Sequence, residues 1–207
     1  MEITWYGQSC FRLRSRSLAV VTDPYGSEEG LKLPRLTASV VTVSCDQPEH
    51  NNAQAIKGSP FVIRAPGEYE IEGIFVIGVA TAEASRAKNA AYLIEFEDLT
   101  ICHLGALDHV LSQEQAEQLN DIDILLVPVG GRSNLTSGKA VDVVGLLEPK
   151  IIIPMHYKIP GLAIQLDGAN RFLKELGVEA GDKLDTLTVT KGQLPEESRV
   201  ILLEPKQ

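Results

Sequence analysis

The sequence has no apolar run approaching the ~20 residues that a membrane-spanning helix needs, so no such helix is expected. Met1-Glu2-Ile3-Thr4 lacks the basic segment and apolar stretch of a secretory signal. Cysteine is scarce: Cys10, Cys45 and Cys102 are an odd, sparse set that suits a reducing cytoplasm better than a disulfide scaffold. Basic residues are in deficit, 19 Lys and Arg against 28 Asp and Glu. The resulting formal charge of −9 argues against a nucleic-acid backbone or an anionic membrane surface as the main partner. Internal repeats, low-complexity tracts and linkers are missing too, and one domain over residues 1–207 is expected. A small-molecule ligand or substrate is the expected partner, and self-association into a homo-oligomer stays open.

What is present reads as strands first and helices later. Ile3 to Tyr6, Cys10 to Leu13 and Leu18 to Thr22 form a predicted meander that Asp23-Pro24-Tyr25-Gly26 closes. Ser39 to Val43 and Phe61 to Arg64 follow, then a turn at Ala65-Pro66-Gly67-Glu68-Tyr69 and a strand pair around Gly73. Tyr92 to Phe96 and Leu99 to Leu104 read as a hairpin across Glu97-Asp98. The period then changes. Ser112-Gln113-Glu114-Gln115 is a capping box opening a short helix, Ile122 to Val129 a buried strand, and Gly138 to Leu147 a helix. After a strand at Ile151 to Pro154, a helix over Asp167 to Leu176 is capped by Asp167 and stopped by Gly177. Leu187 to Thr190 and Arg199 to Leu203 are the last strands. Strands first, then helix and strand in alternation, predict a layered α/β or α+β sandwich.

Reactive groups concentrate where the strand Ser39 to Val43 ends. Cys45, Asp46, Gln47, Glu49 and His50 crowd one polar turn, followed by Asn51-Asn52. An open sheet presents ligand sites in such loops, beyond the carboxyl ends of its strands. The turn resembles the His-x-His-x-Asp-His motif of the metallo-β-lactamase superfamily, with Cys45 and Gln47 at two histidine positions, Glu49 at the aspartate and His50 at the last histidine. Further landmarks fall in the same order. They are Gly7-Gln8-Ser9-Cys10-Phe11 for Gly-His-Ser-x-Phe, Asp23-Pro24, Pro66-Gly67-Glu68-Tyr69-Glu70, His103-Leu104-Gly105-Ala106-Leu107-Asp108-His109, Gly130-Gly131 and Pro154-Met155-His156-Tyr157. The chain looks most like the branch containing the L-ascorbate-6-phosphate lactonases and small bacterial Zn-dependent hydrolases. That resemblance implies a four-layer αβ/βα sandwich, with two central mixed β-sheets flanked by helices.

It also implies a hydrolase in which two metal ions polarise a water. Here the implied shell is rewritten: Cys45, Gln47 and Glu83 replace first-site histidines, and Ala106 stands where an aspartate bridges both ions. The set still able to ligate is Cys45, Glu49, His50 and His156, so one weakly held zinc or manganese ion, or none, is expected. No tetrahedral zinc is expected between Cys45, Gln47 and Glu83. His50 and His156 should lie at one edge of the sandwich, near the ~4 Å separation of two ligands of one metal. His103 reads as a structural histidine, and Asp46 and Asp108 as turn caps. Cys45 reads either as a packed residue, a soft ligand, or a thiol activated by His50. Two functions stay open: a hydrolase with a degenerate two-metal centre, or a non-catalytic binding module using the same cleft.

Overall fold

Apolar and polar residues alternate in the first two strands of the chain. The computed structural model describes residues 1–27, 30–81, 88–179 and 181–207. Strands β1 (Glu2–Trp5), β2 (Phe11–Ser15), β3 (Leu18–Thr22), β4 (Val40–Thr42) and β5 (Phe61–Ile63) come first. They are followed by β6 (Gly67–Ile71), β7 (Ile74–Ala80), β8 (Ala90–Phe96) and β9 (Leu99–His103). Helix α1 (Gln113–Gln118), β10 (Ile124–Pro128), α2 (Ser137–Leu147), β11 (Ile151–Met155), α3 (Ala169–Leu176), β12 (Leu187–Thr188) and β13 (Arg199–Val200) complete the order.

Two mixed sheets result. One runs β12-β1-β2-β3-β4-β5 and the other β13-β11-β10-β9-β8-β7-β6. The meander β1 to β3 is antiparallel, whereas β3, β4 and β5 run parallel, with Thr22 opposite Thr42 and Thr42 opposite Ile63. In the second sheet β9, β10, β11 and β13 are parallel. Every residue of β10 and β11 is buried, which is why Ile-Leu-Leu-Val and Ile-Ile-Ile run without polar interruption. The crossover from β10 to β11 is α2, which packs on α3. This is the predicted two-sheet α/β architecture.

The core lies between the sheets. Trp5 of β1 stacks on Phe11 at 6.2 Å and meets Tyr157, from beyond β11, at 5.0 Å. The Tyr92 hydroxyl of β8 donates to the Val43 carbonyl at 2.9 Å, and Ala90 N–H donates to Ser44 O at 2.9 Å. These bonds hold the end of β4 against the second sheet. Gly105 lies at the same seam at φ +60°, where a Cβ would come within 2.3 Å of the Ser44 Cβ. Only glycine fits there.

Local expectations differ from the structure at two places. Asp167 does not cap the last helix; Gly168 occupies that position, and the Asp167 carboxylate pairs with Arg171 at 2.9 Å instead. Carboxylate and guanidinium meet across one helical turn, and that pairing replaces a bond to the helix N–H groups. Gly67 to Tyr69, read as part of a turn over Ala65 to Tyr69, belongs to the edge strand β6 (Gly67–Ile71), antiparallel to β7. Edge strands tolerate proline at their start and expose most side chains, so the apolar signal is weak. The capping box at Ser112 and Gln115 is formed, and Gly177 ends α3 at φ +78° with Val178 N–H bonded back to Leu173 O.

Candidate functional site

Parallel strands deliver their chain ends to one place. Asp23 follows β3, the turn from Ser44 to His50 follows β4, and His156 follows β11. Gln8, in the turn between β1 and β2, joins them: the His156 N–H donates to Gln8 O at 3.0 Å. Three non-glycine residues here have left-handed backbones, Gln8 at φ +50°, Asp23 at +38° and His156 at +49°. Such strain clusters where the surroundings enforce it, most often at functional sites. None of it is visible in the sequence.

Asp23 organises the site. Its carboxylate is fully buried and accepts from Ser44 N–H at 2.7 Å, Ser44 Oγ at 2.6 Å and His50 Nδ1 at 2.7 Å. Burial pushes the carboxyl up, but His50, His103 and the Ser44 hydrogen bond outweigh it and leave the pKa below its ordinary value. With Nδ1–H committed to Asp23, His50 presents Nε2 as a buried atom without a partner among the described residues. The His50 and His156 rings lie face to face, centroids 5.8 Å apart and planes 17° from parallel. Burial, reinforced by His50, lowers the His156 pKa to about 3, so that ring is neutral at physiological pH. Both amide atoms of Gln8, which is 1% exposed, also lack a partner among the described residues. His103, at the end of β9, uses Nε2–H to bridge the sheets through Ser9 O at 2.9 Å.

Cys45 lines a small cavity of about 30 Å³, room for roughly one water, together with Gln47, Asn89, Ala106 and His109. Burial and the neighbouring Asp23 push its thiol up to about 12, so Cys45 is a packed thiol, not one activated by His50. Asp108, expected as a turn cap, holds His109 Nδ1 at 2.7 Å. Glu49 is half-buried beside Cys45. Glu83 lies outside the described residues.

Gln47 offers a neutral amide, Ala106 a methyl whose backbone N–H is spent on Asn89 Oδ1 at 2.8 Å. Among the described residues no three His, Cys, Asp or Glu side chains are arranged to hold a metal ion. Among the described residues no helix is long and apolar enough to cross a membrane.

Residues 2–156 match the family described as the beta-lactamase superfamily domain. A solved Thermotoga maritima structure, of a protein placed in the metallo-β-lactamase superfamily, is 37% identical, with a TM-score of 0.84, covering 98% of this chain and 97% of that one. The chain belongs to the metallo-β-lactamase superfamily. Within the superfamily, a UPF0173 protein of Pyrococcus abyssi is 27% identical over 180 residues, spanning 76% of this chain and 83% of its own. A UPF0173 metal-dependent hydrolase of Pyrobaculum islandicum is 26% identical over 193 residues, spanning 76% and 84%. A metallo hydrolase of Ignicoccus hospitalis shares the fold at a TM-score of 0.67 and 17% identity.

Two partners of this site escaped the sequence reading. Asp23-Pro24 was legible as a landmark, yet nothing marked its carboxylate as the support of His50. Gln8 stands where the resembling branch has histidine, and that substitution was the available signal.

Neutral burial of His156 makes the fold acid-sensitive. Its folded pKa of about 3 lies below the unfolded value near 6.5, so its contribution is complete above ~6.5 and lost as pH falls toward 3. His103, also lowered by burial, acts in the same direction. In chelator-treated protein, stability from urea unfolding should fall between pH 6.5 and 4.5. In His156→Asn, which tolerates a left-handed backbone, that slope should flatten by about 1.4 kcal/mol per pH unit. An identical slope in wild type and variant would refute the assignment.

Proposed function

We propose that this protein is a metal-dependent-hydrolase-like member of its superfamily whose two-metal centre is degenerate. His50 and His156 retain at most one weakly bound zinc or manganese ion, with Asp23 orienting the first ring. The cleft takes a small molecule rather than a nucleic acid or membrane. The observation that carries this reading is Ala106: the position of the bridging carboxylate has no donor, beside a one-water cavity lined by Cys45 and Gln47. Relatives named metal-dependent hydrolases, such as that of Pyrobaculum islandicum, support a hydrolase ancestry. The motif order supports kinship with the lactonase-like branch.

A second reading, a binding module in the old cleft, is favoured by the buried Gln8 amide and His50 Nε2, polar atoms that a bound guest would satisfy. Metal analysis of protein purified without chelator, with hydrolysis assays on a phosphodiester and a lactone, tests the proposal. Less than one equivalent of metal and hydrolysis near background are expected. Two equivalents with rapid hydrolysis would overturn it.

A further inference from the structure

Next to His156 lies a second feature, a cleft of about 640 Å³ lined by Gly130, Arg132, Lys158, Leu162, Ile164 and Asp167, among others. Gly130 joins it to the site: a Cβ there would lie 2.2 Å from the His156 carbonyl oxygen. Asp167 N–H donates to Gly130 O at 2.9 Å and Lys158 N–H to Asp167 O at 3.0 Å, so the opposing walls are tied together through the backbone. Arg132 is close enough to His156 to disfavour its protonation.

The charge in this cleft runs against that of the molecule. In a chain of net charge −9 it presents two exposed cations, Arg132 and Lys158, neither ion-paired among the described residues. The carboxylate on its wall, Asp167, is already claimed by Arg171 at 2.9 Å. In the same lining, Leu162 and Ile164 are half-buried and Leu166 is buried, giving the cleft an apolar part. A polar head beside an apolar wall is the usual composition of a small-molecule site.

We propose that this cleft recognises a small organic anion, its phosphate, sulfonate or carboxylate head on Arg132 and Lys158 and its apolar body along Leu162 and Ile164, leading toward His156. The inference names the ligand class of the proposed function and rests on that site taking a small molecule. An acidic exterior keeps most anions away, so a local cationic pair confers selectivity as well as attraction.

The probe is anilinonaphthalene sulfonate, titrated by fluorescence into wild type, Arg132→Gln, Lys158→Gln and the double variant, at low and high salt. Each single change should weaken binding about 2- to 5-fold, as loss of one exposed ion pair does, and salt should weaken wild-type binding. Octyl phosphate and octanoate should displace the dye, whichever displaces better naming the head group, while neutral octanol should not. Unchanged affinity in the double variant, or displacement by octanol equal to that by the anions, would overturn the proposal. Circular dichroism and melting check that the variants fold; if the double variant does not, the salt and competitor arms on wild type still decide. Metal content and hydrolysis are read separately on wild type. Two bound metals with rapid turnover would defeat the degenerate-centre reading and leave the anion cleft standing, whereas charge-independent dye binding would do the reverse.

Discussion

Asp23→Ala is expected to cost about 3–5 kcal/mol, the range for removing one partner of a buried charged pair, out of a total that for most domains is only about 5–15 kcal/mol. The carboxylate is fully buried and accepts three hydrogen bonds, two from Ser44 and one from His50. Alanine would leave the Ser44 N–H and the His50 Nδ1–H buried without acceptors, each carrying its own desolvation penalty. It would also force a Cβ residue without a polar side chain to hold φ +38°, a region that Asp and Asn tolerate best. Asp23→Asn should cost less, because one oxygen and the backbone tolerance remain, though its NH₂ must face a donor. Urea unfolding at pH 7 measures both. A midpoint for Asp23→Ala within experimental error of wild type would show that the buried network contributes nothing.

Restoring the donors should restore the metals. The variant Ala106→Asp with Cys45→His, Gln47→His, Glu49→Asp and Glu83→His supplies the superfamily's imidazoles and bridging carboxylate on a scaffold that already holds His50 through Asp23. A supporting partner of a metal ligand is worth about 10- to 100-fold in affinity or activity, and here Asp23 supports His50. Uptake of two equivalents of zinc or manganese is expected, with phosphodiester hydrolysis rising at least about 100-fold over wild type. The cavity beside Cys45 holds only about 30 Å³, so the new side chains must be accommodated by the ions they bind. Folding is therefore to be compared with and without metal. Adding Gln8→His tests whether the buried amide beside His156 belongs to the same rewritten shell. If wild type already matches the rebuilt protein in metal content and rate, the centre was never degenerate.

Much of the architecture was legible because its causes are local. Ile124 to Val127 and Ile151 to Ile153 are uninterrupted apolar runs of strand length, and only a strand covered on both faces wants them. Ser112 with Gln115 marks a helix start by chemistry confined to four residues, and Gly177 marks an end through its own backbone freedom. The same local reasoning failed at Asp167, whose carboxylate found Arg171, and at Gly67 to Tyr69, in an edge strand whose exposed side chains carry little pattern.

The sequence by itself determined most of the sheet-forming segments, the order of the superfamily's landmarks and the residue types that stand at Cys45, Gln47 and Ala106. Those are properties of residue type and spacing. Tertiary structure alone decided that His50 stacks on His156, that Asp23 claims His50 Nδ1, that Cys45 lines a small cavity with Ala106 and His109, and that Arg132 and Lys158 share a cleft. The physical reason is that a proton's position, a thiol's pKa and a charge's partner depend on atoms supplied by other strands. Periodicity reports which face of a strand is covered, but not which side chain of the opposing sheet covers it.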